Sequence, residues 1–364
     1  MTAVQGRFLP VASMLLLAAA TLTAMPTATS FAEATGDGRA VQTDEACFTV
    51  HHEGDPEPHP VYGVRYYRHE PGPRTRVITL VHGTSVTHGF WDVHRDFSVA
   101  RRLAAAGYLV IAYDRLGYGK SPYPRPRGAG YTLTISSHRS MLHEIVGQVK
   151  AGSYTFGTES GCPAPPGPAV GLASASVVII GHSAGGGVVS GYPGRYHDVD
   201  ALVQAGFNNQ GFSPEAALYF TRVFTPQAAA GDDYWALAPT DADCEQAVLY
   251  PPGIVRSLFP GFCRPPSFGK APAGELPGAG RMYVENRSAI EQVGPGLPIL
   301  LAWVDHDFFF PDAGETAYWK AHCGCDVESW TQRDSGHAFV GHRSMPTFTT
   351  EVVRWLTSKG LGPD

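Results

Sequence analysis

The sequence predicts an α/β protein: a mostly parallel central sheet with helices on both faces and a lid-like insertion. Three observations carry this. From residue 47 onward short apolar runs alternate with amphipathic stretches, the pattern of β/α units that stack helices on a parallel sheet. Several runs are near-continuous in Val, Ile and Leu, as strands buried on both faces require. Between residues 207 and 296 the alternation lapses and prolines and aromatics take over, so this stretch is expected to be an insertion placed to cover a site.

The expected strands follow in order: "VYGVRYYR" (61–68), "RVITLVHG" (76–83), "YLVIAYD" (108–114), "SVVIIGH" (176–182), "DALVQAG" (200–206), "PILLAWVD" (298–305) and "VESWTQ" (327–332). Helices are expected at 92–106, 136–150, 185–196, 312–322 and 346–358. The last has Pro346 near its start and Gly360 just past its end, the usual helix asymmetry. Residues 152–174 are rich in Gly, Pro and Ala and read as a surface loop. The expected organisation is an export signal at 1–32, an N-terminal segment at 33–60 and one large domain over 61–364.

The signal is read from Arg7, the apolar run "VASMLLLAAATLTA" and small residues at Ser30 and Ala32. That run is short for a bilayer span, and no cysteine follows the expected cut. The alternative is a buried N-terminal helix, against which Pro26 speaks. Cleavage removes one charged residue, Arg7, taking the formal net charge from −6 to −7. With no Lys/Arg-rich run, this mild acidity excludes a nucleic-acid footprint and an anionic-membrane patch. The mature chain is expected to be secreted, with no stable membrane anchor. Its six cysteines, Cys47, Cys162, Cys244, Cys263, Cys323 and Cys325, then suggest disulfides of undetermined pairing. Cys244 with Cys263 is the preferred local pair. A zinc site is disfavoured, because no CxxC knuckle is repeated.

Gly181, His182, Ser183, Ala184 and Gly185 form G-x-S-x-G between an apolar strand and a helical stretch. This is the context of a nucleophile elbow, whose sharp turn exposes the serine Oγ and needs small neighbours two residues away on each side. In a chain with 42 glycines the motif alone is weak, so partners decide. A serine hydroxyl needs a base, and an imidazole needs a carboxylate to fix its tautomer. "ILLAWVDHDFFFP" supplies Asp305 and Asp307 at a strand end, and "WTQRDSGHAF" supplies His337 after the last strand. No metal or cofactor is required for such chemistry, and none is expected.

The order Ser, Asp, His resembles the α/β-hydrolase superfamily, over roughly residues 60–358 apart from the insertion. That resemblance implies a serine hydrolase of the esterase or lipase type. Asp307 and Pro311 match the family's D-x-x-x-P, so Asp307 is preferred as the acid and Asp305 is the alternative; Val304 departs from a common glycine. Gly336-His337 resembles the family's G-H more closely than Gly341-His342 does. In "LVHGTS" (80–85) the resemblance makes the backbone N–H of Thr84 an oxyanion-hole donor beside that of Ala184, with His82 a structural brace. "DRLGYGKS" (114–121) is similar to the family's D-x-x-G-x-G-x-S and reads as scaffold.

The expected reaction is cleavage of a carboxylic ester or lactone through an acyl-enzyme. The small-molecule substrate would carry an apolar portion matching the insertion's rings: Phe207, Phe212, Tyr219, Phe220, Phe224, Tyr234 and Trp235. Asn208, Asn209 and Gln210 could orient a polar group. One alternative is an aminopeptidase or amidase, for which Asp232, Asp233, Asp241, Asp243 or Glu245 would hold the amine. Others are a non-catalytic hydrolase-like binding protein and a cofactor-free oxidation. A nucleophilic aspartate is disfavoured by Ser183.

Overall fold

A computed structural model describes residues 40–123, 127–249, 252–255, 269–275 and 279–363. The expected export signal and Cys263 lie outside them. Strands β1 (Gln42–His51) and β2 (Pro58–Tyr67) form an antiparallel hairpin. Next come β3 (Val77–Val81), α1 (Val99–Ala105), β4 (Leu109–Tyr113), α2 (Ile135–Ala151) and the short β5 (Thr155–Phe156). β6 (Val177–His182), α3 (Ala184–Ser190), α4 (Pro193–Tyr196) and β7 (Ala201–Ala205) follow. Then the chain leaves the sheet through α5 (Pro214–Ala230), β8 (Tyr234–Ala236), α6 (Asp241–Ala247), β9 (Lys270–Pro272) and α7 (Ala279–Ile290). It re-enters at β10 (Pro298–His306) and closes with α8 (Glu315–His322), β11 (Asp326–Gly336) and α9 (Met345–Ser358).

The sheet order is β11-β10-β7-β6-β3-β4-β2-β1-β5. β4, β3, β6, β7, β10 and β11 are mutually parallel, while β2, β1 and β5 add antiparallel edges. Every residue of β3, β4, β6 and β7 is buried, which explains their unbroken apolar runs. α1 packs with α9 and α2 with α3. From β3 the chain steps to β4 on one side and then crosses to β6 on the other. Ligands in open α/β sheets bind at such a reversal, outside the carboxyl ends of the strands, and Gly83 and Ser183 stand there.

The expected elements differ in detail. The segment 33–60 contains β1, in which Ala46, Cys47, Phe48 and Val50 are buried and both ends are more exposed; so short a buried run gives little signal. The helix expected from 92 begins at Val99, because the Ser98 side chain accepts from Arg101 N and caps it. The helix expected over 185–196 is two pieces, since Pro193 begins a new one. The stretch 207–296 does stand between two strands that are neighbours in the sheet, β7 and β10. Cys47 bonds Cys162, tying β1 to the 152–174 loop, and Cys323 bonds Cys325. Cys244 is also disulfide-bonded.

Candidate active site

Ser183 links β6 to α3 at φ 55° and ψ −125°. A non-glycine residue there costs about 1–3 kcal/mol and persists only where its surroundings enforce it. Ser183 N donates to Ala205 O at 3.0 Å, and Gly187 N donates to Ser183 O at 3.0 Å. The flanking glycines are obligatory: a Cβ on Gly181 would strike Gly185 O, and one on Gly185 would strike Val81 O. At Gly186 and Gly187, what a Cβ would meet first is the side chain of Phe207. They let that ring lie beside the nucleophile candidate.

Asp307 and His337 meet. His337 Nδ1 is 3.0 Å from both carboxylate oxygens of Asp307, so Nδ1–H donates and Nε2 is left as the basic nitrogen. Both side chains are buried. Asp307 Oδ1 also accepts from Phe309 N at 2.8 Å and Phe310 N at 3.0 Å, and the Phe309 ring stands edge-on to His337 with centroids 4.8 Å apart. Asp305 goes elsewhere: its carboxylate accepts from Asp334 N and Ser335 N at 3.0 and 3.1 Å, bracing the turn before His337. The strand end that Val304 obscured lies at His306, past a register shift between Val304 and His306. His342 is a second brace, its Nε2 accepting from Gly336 N at 3.2 Å.

His182 ties the elbow to this loop, donating from Nε2 to His337 O at 2.9 Å while its ring stacks on Phe90 at 4.5 Å. Burial, and then the neighbouring His337, hold His182 well below the usual histidine range. It is a neutral spacer between the Ser183 turn and His337. His82 accepts at Nε2 from Arg115 N at 3.0 Å and lies 2.8 Å from Gly83 O through Nδ1. Burial and Arg115 lower it to about 3, so it braces the loop as a neutral ring.

The DRLGYGKS turn is internally bonded. Asp114 accepts from His88 N and Lys120 N, and Ser121 Oγ donates to Asp114 O at 2.8 Å. Gly119 is at φ 48° with the Asp114 carboxylate against the place a Cβ would take.

Ser183, Thr84 and Ala184 line one pocket. Phe207, Phe212, Phe220, Phe309 and Phe310 are five of the twelve residues that line it. Of the aromatic residues named from sequence, Tyr219, Phe224, Tyr234 and Trp235 do not line it: Tyr219 donates to Leu237 O and Phe224 stacks on Trp235 inside the insertion. Asn208, Asn209 and Gln210 point away from any substrate role. Asn209 Nδ2 donates to Glu315 Oε1 and Asn208 Nδ2 to Pro311 O, because buried amides must be satisfied internally, and the exposed Gln210 reaches Glu315 Oε2 through Nε2. None of the acidic residues proposed to hold an amine lines the pocket; its carboxylate is Glu275. Phe309 and Phe310 could have been found from "DFFFP". Glu275 sits in a segment without periodicity and left no signal.

Sequence comparison with curated proteins finds no match. Solved structures resemble the fold. A monoacylglycerol lipase from Paleococcus ferrophilus is 17% identical with a TM-score of 0.56, covering 82% of this chain and 99% of its own. A thermophilic esterase from Thermogutta terrifontis is 16% identical at 0.56, covering 86% and 98%. The haloalkane dehalogenase DatA from Agrobacterium tumefaciens is 16% identical at 0.54, covering 88% and 98%. At such identities the likeness is one of fold. In sequence, residues 80–352 match the alpha/beta hydrolase family. With the elbow after β6, the parallel sheet and the match over most of its length, the chain belongs to the alpha/beta hydrolase family.

Proposed function

We propose that this protein is a secreted serine hydrolase that cleaves a carboxylic ester or lactone bearing an apolar group. His337 Nε2 takes the Ser183 proton as Oγ attacks the carbonyl carbon, and Asp307 holds the imidazole and stabilises its charged form. The N–H groups of Thr84 and Ala184 receive the oxyanion, each contributing roughly 3 to 4 kcal/mol of barrier reduction. Collapse expels the alcohol, protonated by His337. Water activated by the same nitrogen then releases the acid.

The observation that carries this reading is the Asp307–His337 pair, made at the carboxyl ends of β10 and β11. His337 O is bonded to the residue preceding Ser183, which itself faces the pocket. The wall of phenylalanines supports an apolar acyl or alcohol portion, and the disulfides support an oxidising compartment.

Fluorophosphonate treatment followed by peptide mapping tests the chemistry. Modification at Ser183 is expected, and folded protein unmodified there refutes the reading. Among p-nitrophenyl esters of increasing acyl length, turnover should exceed that of aminoacyl amides. Equal or better amide turnover would reverse the substrate assignment.

A further inference from the structure

The loop that carries Thr84 is held from outside the sheet. Ser85 is buried at φ 65°, and two insertion residues clasp it: Gly269 N donates to Ser85 O at 2.6 Å and Leu237 N to Ser85 Oγ at 3.4 Å. A third insertion residue, Glu275, accepts from Thr84 Oγ1 at 3.2 Å. Glu275 also pairs with Arg115 through Nη1 at 2.5 Å, and Arg115 Nη2 donates to Gly83 O at 2.9 Å. Gly83 and Thr84 are therefore gripped from either side by the two members of one ion pair. Both charged groups are fully buried.

We propose that Arg115 and Glu275 are positioning residues: their buried ion pair sets the Gly83–Thr84 backbone so that the Thr84 N–H is aimed at the developing oxyanion. This rests on the serine-hydrolase reading above. Glu275 lines the pocket beside Thr84 and Ser183, yet its oxygens are already occupied. Oε1 takes Arg115 Nη1 and lies 3.1 Å from His138 Nε2, while Oε2 takes Thr84 Oγ1 and Arg115 Nη2. Burial alone would raise this carboxyl; Arg115 and His138 hold it down to about 2. It is a fixed anion neutralised by its partner, built to hold a loop and not to bind a substrate cation. Removing one partner strands the other charge, and the loop it grips is where sub-ångström placement matters to the barrier.

The test compares wild type, Glu275→Gln, Glu275→Asp and the double variant Arg115→Met/Glu275→Leu, which removes both buried charges together and guards against a fold lost to one stranded ion. For Glu275→Gln the fluorophosphonate inactivation rate and kcat on a p-nitrophenyl ester are expected to fall about 10- to 100-fold. KM should stay within about threefold, and the acid limb of the pH profile should keep its place. Glu275→Asp should recover part of the loss, and the double variant should be folded but as slow as Glu275→Gln. Wild-type kcat and inactivation rate in Glu275→Gln or in the double variant overturn the positioning role. So does a rise in KM with kcat unchanged, which marks a substrate contact. Wild-type protein left unmodified at Ser183 overturns the hydrolase reading and this one with it.

Discussion

The Ser183 turn and the insertion solve the same problem, fixing backbone beside the proposed nucleophile, by opposite means. In the elbow the constraint is steric and local: Gly181 and Gly185 have no room for a methyl group because backbone oxygens occupy the space. In the insertion it is electrostatic and distant: Glu275 lies 160 residues from Arg115 in sequence and reaches it only through the fold. Steric devices leave a motif. Electrostatic ones at long range leave a single charged residue in an unremarkable stretch.

The widest contrast lies between two carboxylates on one strand end. Ser183→Ala and Asp307→Asn should each lower kcat by about 10⁴-fold or more, whereas Asp305→Asn, which loosens only the turn at Asp334 and Ser335, should cost less than about tenfold. Steady-state kinetics on one ester decide this. If Asp305→Asn is the inactive variant, the acid has been assigned wrongly. Next in size is the elbow's steric demand. Gly185→Ala drives a methyl group into Val81 O and His82 O and should destabilise the protein by about 3 kcal/mol or more, read from the urea midpoint.

Two buried histidines outside both regions set the protein's tolerance of acid. Burial holds His82 to about 3, and burial with Arg115 holds His138 to about 4. Both lie below the ordinary value of 6.5, so the unfolded chain binds protons that the folded one refuses. Stability is therefore complete above pH 6.5 and falls on acidification towards pH 4, by roughly 1 kcal/mol per pH unit for each histidine. Glu275 adds its own loss below pH 4.5 as pH falls towards 2. Urea unfolding at pH 7, 6 and 5 should show the decline, and His138→Gln should reduce its slope by about one proton's worth. A flat profile would mean that these rings are protonated in the fold. The smallest effect belongs to Gly280, in α7 with nothing near its Cβ position. There Gly280→Ala should stabilise by about 0.5 kcal/mol, and a loss on thermal unfolding would show unseen crowding.

The split between what was legible and what was not follows the range of the forces. Strands buried on both faces were visible as apolar runs, and Ser183, Asp307 and His337 were visible because each follows a strand in an order set by chain direction. Helix starts were misplaced by several residues, as at Val99 and at the break before Pro193, because caps and single prolines carry little signal. Asn208, Asn209 and Gln210 looked like substrate contacts because a polar cluster beside aromatics reads the same whether it faces a cavity or a buried carboxylate. Only the tertiary structure sent them to Glu315 and Pro311.

The sequence by itself determined the sheet, the elbow and the candidate triad, since these depend on short-range sterics and on the periodicity of burial. The fold alone decided which rings wall the pocket and that Glu275 and Arg115 grip the loop after β3. Those outcomes rest on a few ångströms between residues far apart in the chain, and hydrogen bonding and Coulomb attraction act over that distance without any imprint on local sequence.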